Sequence, residues 1–317
     1  MNLAQQVLHT SFQSIYINEI LSMVASYLPW TSLYRMRFWP GDCAKIVQAE
    51  SRRRIFGVIE RFVALDNIRN FVDLLHATDT IILGAAVRYV LLLNHPAHTP
   101  TMPSVLELAT TEAMVDEWEQ LLSSLGYEST ERYPEASYKN RVKIVLDFER
   151  VLEDGTSTQV VLLVAKTSPL SVMIGSPTTA GMNAITSTLV VSFYPRLTFA
   201  NEALQIEQVA VDDPLATAGV ATFDSNSHWE RPCGSYCPTK KRKPFDDDGA
   251  AIYCWRKDVI FEGDAELEWD DGSTLWGNQV ATHFTYSDTL SWQVSNYCDN
   301  SSGCSYRDKL ESRSQYL

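Results

Sequence analysis

Apolar residues in the first seventy positions recur at three- and four-residue intervals, the spacing that places them on one face of an amphipathic helix. The first such stripe is followed by Pro29, which predicts the end of the helix. Its members are Ile17, Ile20, Leu21, Val24 and Leu28. A second amphipathic stretch begins at Leu33, and helical spacing returns over residues 55–63 and 68–75. We therefore predict that residues 1–70 form a helical segment.

Residues 71–210 show a different pattern, in which short apolar runs alternate with helical stretches. Strands are predicted over 81–83, 105–108, 142–149 and 160–165, and helices over 87–93 and 115–125. Gly126 follows the second helix where a C-terminal stop belongs, and Asp154-Gly155 predicts a hairpin turn. This alternation predicts a mixed α/β sheet domain.

The remaining residues, 211–317, form a third region with a distinct composition. Residues 224–248 are rich in turn formers and charges, which favours a long loop. Acidic and bulky residues alternate over 252–276, the pattern of strands with one solvent-facing side. We predict an irregular, β-rich, acidic and loop-rich extension, and an α+β fold class for the chain as a whole.

The chain carries a formal net charge of −13, which is unevenly distributed. Residues 1–100 have a net charge of +2 and the remainder −15. Phosphate backbones are bound by basic faces, so a nucleic-acid partner is not expected for so acidic a chain. The longest apolar run, 81–93, is interrupted by Arg88 and is shorter than the roughly 20 residues of a bilayer span, so no membrane partner is expected.

The first ten residues do not have the basic stretch followed by an apolar one that marks a secretory leader. We therefore expect an intracellular protein, in the cytoplasm or the nucleus. Residues 240–243 are Lys-Lys-Arg-Lys, which satisfies a minimal nuclear-import pattern. The alternative for this cluster is an ordinary solvated charge run.

Five of the six cysteines lie in the last third of the chain, and these are Cys233, Cys237, Cys254, Cys298 and Cys304. Spacers of three and five residues separate the two close pairs, unlike the two-residue spacer usual in zinc knuckles. For an intracellular chain we expect reduced thiols, and we assign no metal and no cofactor. The alternative is a structural zinc site, to which His228 and His283 could contribute.

The N-terminal stripe also carries a family resemblance. Asn18-Glu19-Ile20-Leu21, Val24, Tyr27-Leu28-Pro29 and Leu33 resemble the F-box over roughly residues 15–55. That resemblance implies a Skp-type adaptor of a cullin–RING ubiquitin ligase as the partner. It implies that the adaptor-binding residues are Ile20, Leu21, Val24, Leu28, Pro29 and Leu33. The alternative is that the stripe is core packing against the following domain.

Five short motifs in the middle of the chain, in order, are similar to a set of fungal proteins that combine an F-box-like start with a nucleotidyltransferase-like domain. The motifs are Ile82-Leu83-Gly84-Ala85-Ala86-Val87, Pro103-Ser104-Val105-Leu106-Glu107-Leu108, Gly126-Tyr127, residues 178–186 and Tyr194-Pro195-Arg196-Leu197-Thr198. Active nucleotidyltransferases of that fold use a Gly-Ser turn, an Asp-x-Asp pair and a third acid on a later strand. Their two divalent cations need clustered carboxylate oxygens.

The corresponding positions of this chain have lost most of those groups. The turn is Gly84-Ala85, the acidic pair is reduced to Glu107, and the third acidic position is Val161. The resemblance therefore implies a degenerate pocket without catalytic residues or a metal, formed by Gly84, Ala85, Val105, Glu107, Val161 and Asn183. Asn183 is expected to hold a turn through its side chain.

From these observations we expect a non-catalytic interaction protein. Its function would be that of an F-box-type substrate-recruiting adaptor with a protein partner that the sequence does not identify. One alternative is a nucleotidyltransferase that uses Glu107 and unrecognised acidic ligands. Another is a structural protein whose N-terminal helices only pack on the sheet.

Overall fold

The computed structural model describes residues 17–134, 140–152, 155–206, 219–229, 232–234, 237–241, 251–255, 294, 298–300 and 304. The strands predicted over 256–276, two of the four residues of the basic cluster, and His283 lie outside the described residues. The helices are α1, which includes residues 17–27, α2 (Trp30–Met36), α3 (Cys43–Ile59), α4 (Ile68–Ala77), α5 (Gly84–Leu92), α6 (Val115–Ser124), α7 (Pro169–Ile174) and α8 (Pro195–Ala200). None of these described helices has the length and apolar character needed to cross a bilayer.

The strands form one large mixed sheet and one small pair. They are β1 (Ile81–Leu83), β2 (Val105–Thr111), β3 (Glu128–Arg132), β4 (Val142–Val151), β5 (Ser157–Ala165), β6 (Asn183–Ile185), β7 (Leu189–Ser192), β8 (Glu202–Leu204), β9 (Ala221–Phe223) and β10 (Ala251–Cys254). The large sheet has the order β10-β7-β6-β1-β2-β5-β4-β3, and β8 pairs with β9. Neighbours in the large sheet are antiparallel except β2 and β5, which are parallel. The α+β class is confirmed.

The large sheet separates two apolar cores, because successive side chains of a strand point to opposite faces. In β5, Val160 and Leu162 belong to the first core, whereas Val161 and Leu163 belong to the second. Helices α3 to α6 cover the first face. Helix α7, residues around Tyr194 and the late cysteines cover the second.

Segments that are far apart in the sequence contribute to the first core. Trp30 of α2 and Tyr253 of β10 are buried there, with their ring centroids 5.7 Å apart. Trp255, immediately after β10, contacts the ring of Phe56 on α3 at 6.0 Å. Helices α2 and α3 and strand β10 therefore share one core with the sheet.

The predicted helix over 55–63 is wrong at its C-terminal end. Helix α3 ends at Ile59, and the chain then turns, with the amide of Phe62 donating to the carbonyl of Ile59 at 2.8 Å. Phe62 and Val63 are fully buried in the first core, so their apolar character reflects packing after the helix rather than a helical face.

Candidate functional site

A buried arginine of α3 fixes the C-terminal end of α1. The Arg54 guanidinium donates through Nη2 to the carbonyl oxygens of Ala25 at 3.1 Å and Leu28 at 2.7 Å. The Asn94 side chain donates to the carbonyl of Ser26 at 2.6 Å. Carbonyl groups in the last turn of a helix have no partner within the helix and carry partial negative charge, which a cation stabilises. Helix α1 is therefore anchored at this end.

The anchoring arginine is itself held by Glu50, one turn earlier on α3. The Glu50 carboxylate accepts hydrogen bonds from Arg54 Nε at 2.7 Å and from two nitrogens of Arg53 at 2.7 and 2.8 Å. Burial opposes ionisation of Glu50, but the bonds from Arg53 and Arg54 outweigh it and lower the pKa of Glu50 below its usual value. Burial lowers the pKa of Arg54, which the bond to Glu50 opposes. The α1 anchor is thus an ionic one.

One side of α1 exposes large apolar side chains to solvent, and we call this row of side chains the α1 stripe. Their exposed fractions are 55% for Ile17, 55% for Ile20, 58% for Met23, 38% for Val24 and 75% for Tyr27. The three- and four-residue spacing places them along one side of the helix. The neighbouring side contains Ala25, which is fully buried, and Leu21 and Leu28, which pack against a small core beneath α1.

The six residues expected to bind an adaptor fall into three environments. Ile20 and Val24 lie on the α1 stripe. Leu21, Leu28 and Pro29 are half-buried. Leu33 is buried in the small core together with Met36 of α2. Leu33 therefore stabilises the helical segment from within and is not accessible to a partner.

Three of the residues expected to form a degenerate pocket do come together on the sheet. Glu107 of β2 is in register with Leu83 of β1 and with Val161 of β5. Gly84, next to Leu83, has a φ of +68°, and a Cβ atom there would overlap the Oε2 atom of Glu107. The carboxylate thus lies against the first residue of α5, where the partial positive charge of a helix N-terminus stabilises an anion.

The row of side chains that contains Glu107 does not form an acidic cluster. Val161 is buried in the second core, and Asp147 of β4, the next residue in register, is paired with Arg132. Glu107 and Asp147 are two strands apart, about 9.6 Å at the usual strand spacing. Neither acid belongs to a group of three or more described side chains that converge as metal ligands. Among the described residues, the late cysteines form the only group of three or more side chains that converge as metal ligands.

The other predicted pocket residues lie apart from this row. Asn183 is buried; it donates to the carbonyl of Ala180 at 2.8 Å and accepts from the Thr198 hydroxyl at 3.2 Å. Alternation along β6 puts Asn183 on the first-core face, opposite to Glu107. Ala85 is exposed and Val105 is half-buried against the second core. A small apolar cavity on the second face is lined by none of the predicted pocket residues.

Four of the late cysteines form a buried cluster, although their spacers are not those of a zinc knuckle. The Sγ atoms of Cys233, Cys237, Cys298 and Cys304 all lie within 4.8 Å of one another. Cys254, at the end of β10, is exposed and lies outside this cluster. The sequence signal for the cluster is the occurrence of two close cysteine pairs, one on each side of a long intervening segment, which left a zinc site open as an alternative.

His228 does not join the cysteine cluster. Its ring stacks on Phe223 with a centroid distance of 3.8 Å, and its Nε2 atom faces the Glu202 carboxylate at 3.8 Å.

Comparison of the chain with protein-family models, curated proteins and solved structures finds no match in any of the three. A functional assignment therefore depends on the arrangement of the side chains described above.

Proposed function

We propose that this chain is a non-catalytic, F-box-type interaction protein. In this proposal the α1 stripe docks into an apolar groove of a Skp-type adaptor. The sheet domain, a degenerate nucleotidyltransferase-like scaffold, recruits a protein substrate to the ubiquitin ligase. The observation that carries the proposal is the α1 stripe itself, a row of exposed apolar side chains on a helix whose C-terminal end is anchored.

The anchoring of α1 favours docking because it fixes the helix before a partner arrives. Grooves that accept an amphipathic helix read side chains at positions i, i+3 and i+7. Ile17, Ile20, Val24 and Tyr27 supply that spacing, and all four are exposed. Because Arg54 already holds the end of α1, binding does not have to order this helix, which lowers its entropic cost.

The burial pattern refines the residues that the F-box resemblance implies. Ile20 and Val24 are the accessible members, and Tyr27 and Met23 join them on the α1 stripe. Leu21, Leu28 and Leu33 support the helix from the inner side. Exposed Phe38 and Trp39, in the turn after α2, extend the apolar surface of the helical segment.

The non-catalytic part of the proposal is supported by the row of residues around Glu107. A valine fills the register position between the two acids, and Arg132 neutralises Asp147. Glu107 lies against the start of α5, where it stabilises the turn at Gly84. This is a structural role for the remaining acid of the motif.

The docking proposal predicts that charge on the α1 stripe abolishes adaptor binding. The double variant Ile20→Asp, Val24→Asp should raise the Kd for a recombinant Skp-type adaptor about 30-fold or more, as expected for buried interface anchors. Calorimetric titration of the full chain with the adaptor measures this. The matched control is Val151→Asp, another exposed apolar residue, at the end of β4. Equal affinity of the double variant and the control, or no binding by the parent chain, would refute adaptor docking.

The enzyme alternative makes a different prediction. A nucleotidyltransferase that uses Glu107 should bind Mg²⁺ with a nucleoside triphosphate, and Glu107→Gln should remove that binding. Our proposal predicts no saturable heat for either protein when Mg²⁺ and each of the four common triphosphates are titrated in turn. A site that is present in the parent and absent in Glu107→Gln would overturn the non-catalytic assignment.

A further inference from the structure

The buried cysteine cluster has the geometry of a shared metal rather than of two disulfides. The Sγ atoms of Cys233 and Cys298 are 3.6 Å apart, and those of Cys237 and Cys304 are 3.3 Å apart. A disulfide requires an S–S distance of about 2.05 Å. Four thiolates around Zn²⁺ at about 2.3 Å each are separated by about 3.8 Å in tetrahedral geometry. The observed spacing, with every pair within 4.8 Å, matches the second arrangement.

Hydrogen-bond donors around the cluster point at the sulfur atoms. Asn226 donates to Cys233 Sγ at 3.2 Å and to Cys298 Sγ at 3.1 Å, and Asn300 donates to Cys233 Sγ at 3.2 Å. The amide of Asp299 donates to Asn226 Oδ1 at 3.0 Å, which fixes the Asn226 side chain with its nitrogen toward the sulfurs. Both asparagines are buried.

These donors indicate that the sulfur atoms carry negative charge. A thiol is a weak hydrogen-bond acceptor, and a buried amide that has only weak acceptors is costly. A metal-bound thiolate is a strong acceptor, and donors of this kind commonly surround the ligands of metal sites. A divalent cation deprotonates the thiols that bind it, so their sulfur atoms become strong acceptors of this kind.

The backbone near the first pair of cysteines is shaped to bring both sulfurs to one point. Gly234, directly after Cys233, has a φ of +55°, and the amide of Cys237 donates to its carbonyl at 3.3 Å. This turn brings Cys237 back to Cys233 with a three-residue spacer. The two halves of the cluster are also joined by the amide of Val294, which donates to the carbonyl of Pro238 at 3.1 Å.

We propose that Cys233, Cys237, Cys298 and Cys304 form a structural zinc site. Binding of one Zn²⁺ replaces the four S–H protons, which leave to solvent, and no oxidation takes place. Four protein ligands close a tetrahedral zinc shell, so the site has a structural and not a catalytic role. Cys233 and Cys298 are 65 residues apart, and the segment between them carries β10 into the sheet. The metal therefore closes the segment that carries β10 into the sheet, and its four ligands pack in the second core.

Metal analysis of the full chain tests this site independently of the adaptor proposal. The chain should be produced without a polyhistidine tag in a reducing cytosol, and purified without chelator. We expect about one zinc per chain, which falls to less than about a tenth in the Cys233→Ser, Cys298→Ser variant. The matched control is Cys254→Ser, an exposed cysteine outside the cluster, which should retain the full zinc content.

A second measurement covers the case in which the double variant does not fold. Stepwise titration of the parent chain with an organomercurial should release zinc, detected by a chromogenic chelator, in proportion to the thiols consumed. Co²⁺ exchanged into the site should give the visible absorption of a tetrahedral thiolate complex. Bound iron, zinc retained by the double variant, or purified parent chain with the four cysteines oxidised and no metal would each overturn the proposal.

Discussion

Helix α1 and strand β10 are far apart in the sequence and both attach to the central fold, but by different interactions. Helix α1 packs Ala25, Leu21 and Leu28 on a small core. An ionic contact, in which Arg54 joins Glu50 to carbonyl groups, fixes its end. The helix keeps a row of apolar side chains in solvent. Strand β10 pairs with all of β7, and the Tyr253 and Trp255 rings enter the first core.

Helix α1 therefore exposes apolar side chains to solvent, whereas the β10 segment buries its apolar side chains in the core. The ionic contact fixes the end of α1 without using the exposed apolar side chains, which remain available to a partner. Aromatic packing uses the apolar side chains themselves, so little is left to recognise. The two attachments should therefore respond to different perturbations, and each can be altered separately.

The largest expected effect is that of removing the charge that anchors α1. Arg54→Met leaves Glu50 buried with one fewer partner and leaves the carbonyls of Ala25 and Leu28 without their donor. Breaking a buried ion pair in this way costs about 3–5 kcal/mol. Chemical denaturation should show a loss of this size, and hydrogen exchange should rise over residues 17–27 more than over 251–255.

The matched control for Arg54→Met is Arg69→Met on α4. Arg69 pairs with Asp73 at 3.8 Å, and both side chains are more than half exposed. Exposed pairs of this kind contribute about 0.2–1 kcal/mol. If Arg54→Met costs no more than Arg69→Met, or loosens β10 as much as α1, the proposed difference between the two attachments is wrong.

A smaller effect is expected from pH, and it should involve α1 alone. The pKa of Glu50 is lowered in the folded chain, so the folded state binds fewer protons than the unfolded state in the acidic range. The stabilisation is complete above the unfolded value of about 4.5 and is lost as the pH falls through the lowered pKa.

The variant Glu50→Gln isolates this contribution. Between about pH 6 and pH 3, the free energy of unfolding of the parent should fall more steeply than that of Glu50→Gln. The comparison of the two proteins cancels groups that both share, including the cysteines. Parallel curves would show that Glu50 does not supply an ionic anchor. The variants of the α1 stripe and of the cysteine cluster described above test the other two features.

The sequence predicts the local elements well where a helix or strand has one continuous apolar pattern. Helices α4 and α6 and strands β1, β4 and β5 lie close to the predicted ranges, because each buries a periodic face within a single segment. Helix α5 begins earlier than predicted, at Gly84, since the turn at that residue continues directly into the helix.

The pairing of the strands could not be predicted in the same way. The parallel pairing of β2 with β5 joins segments about fifty residues apart, and no local pattern encodes it. Strands β6 and β7 are short and buried throughout, so they show no alternation that would distinguish them from a loop or a helix. The antiparallel pairing of β10 with β7 likewise joins segments that are distant in the sequence, so no local pattern encodes it.

Two site features depend on contacts between distant residues that no local pattern encodes. Arg54 lies in a run of three arginines, and its position four residues after Glu50 places it on the buried side of α3. The cysteine cluster forms because a long segment returns both later cysteines to the earlier pair. The turn at Gly234 accommodates the three-residue spacer of the first pair.

The position of β10 has a consequence for synthesis on the ribosome. Strand β7 ends at Ser192, and its neighbour β10 ends at Cys254, about sixty residues later. At about 5–20 residues per second, translation leaves the edge of β7 unpaired for roughly 3–12 s after it emerges. During that interval the open edge is a binding site for a chaperone, or for the β10 segment of another nascent chain. A premature stop codon between these strands would yield a product with this edge permanently open, and quality-control proteases would recognise it.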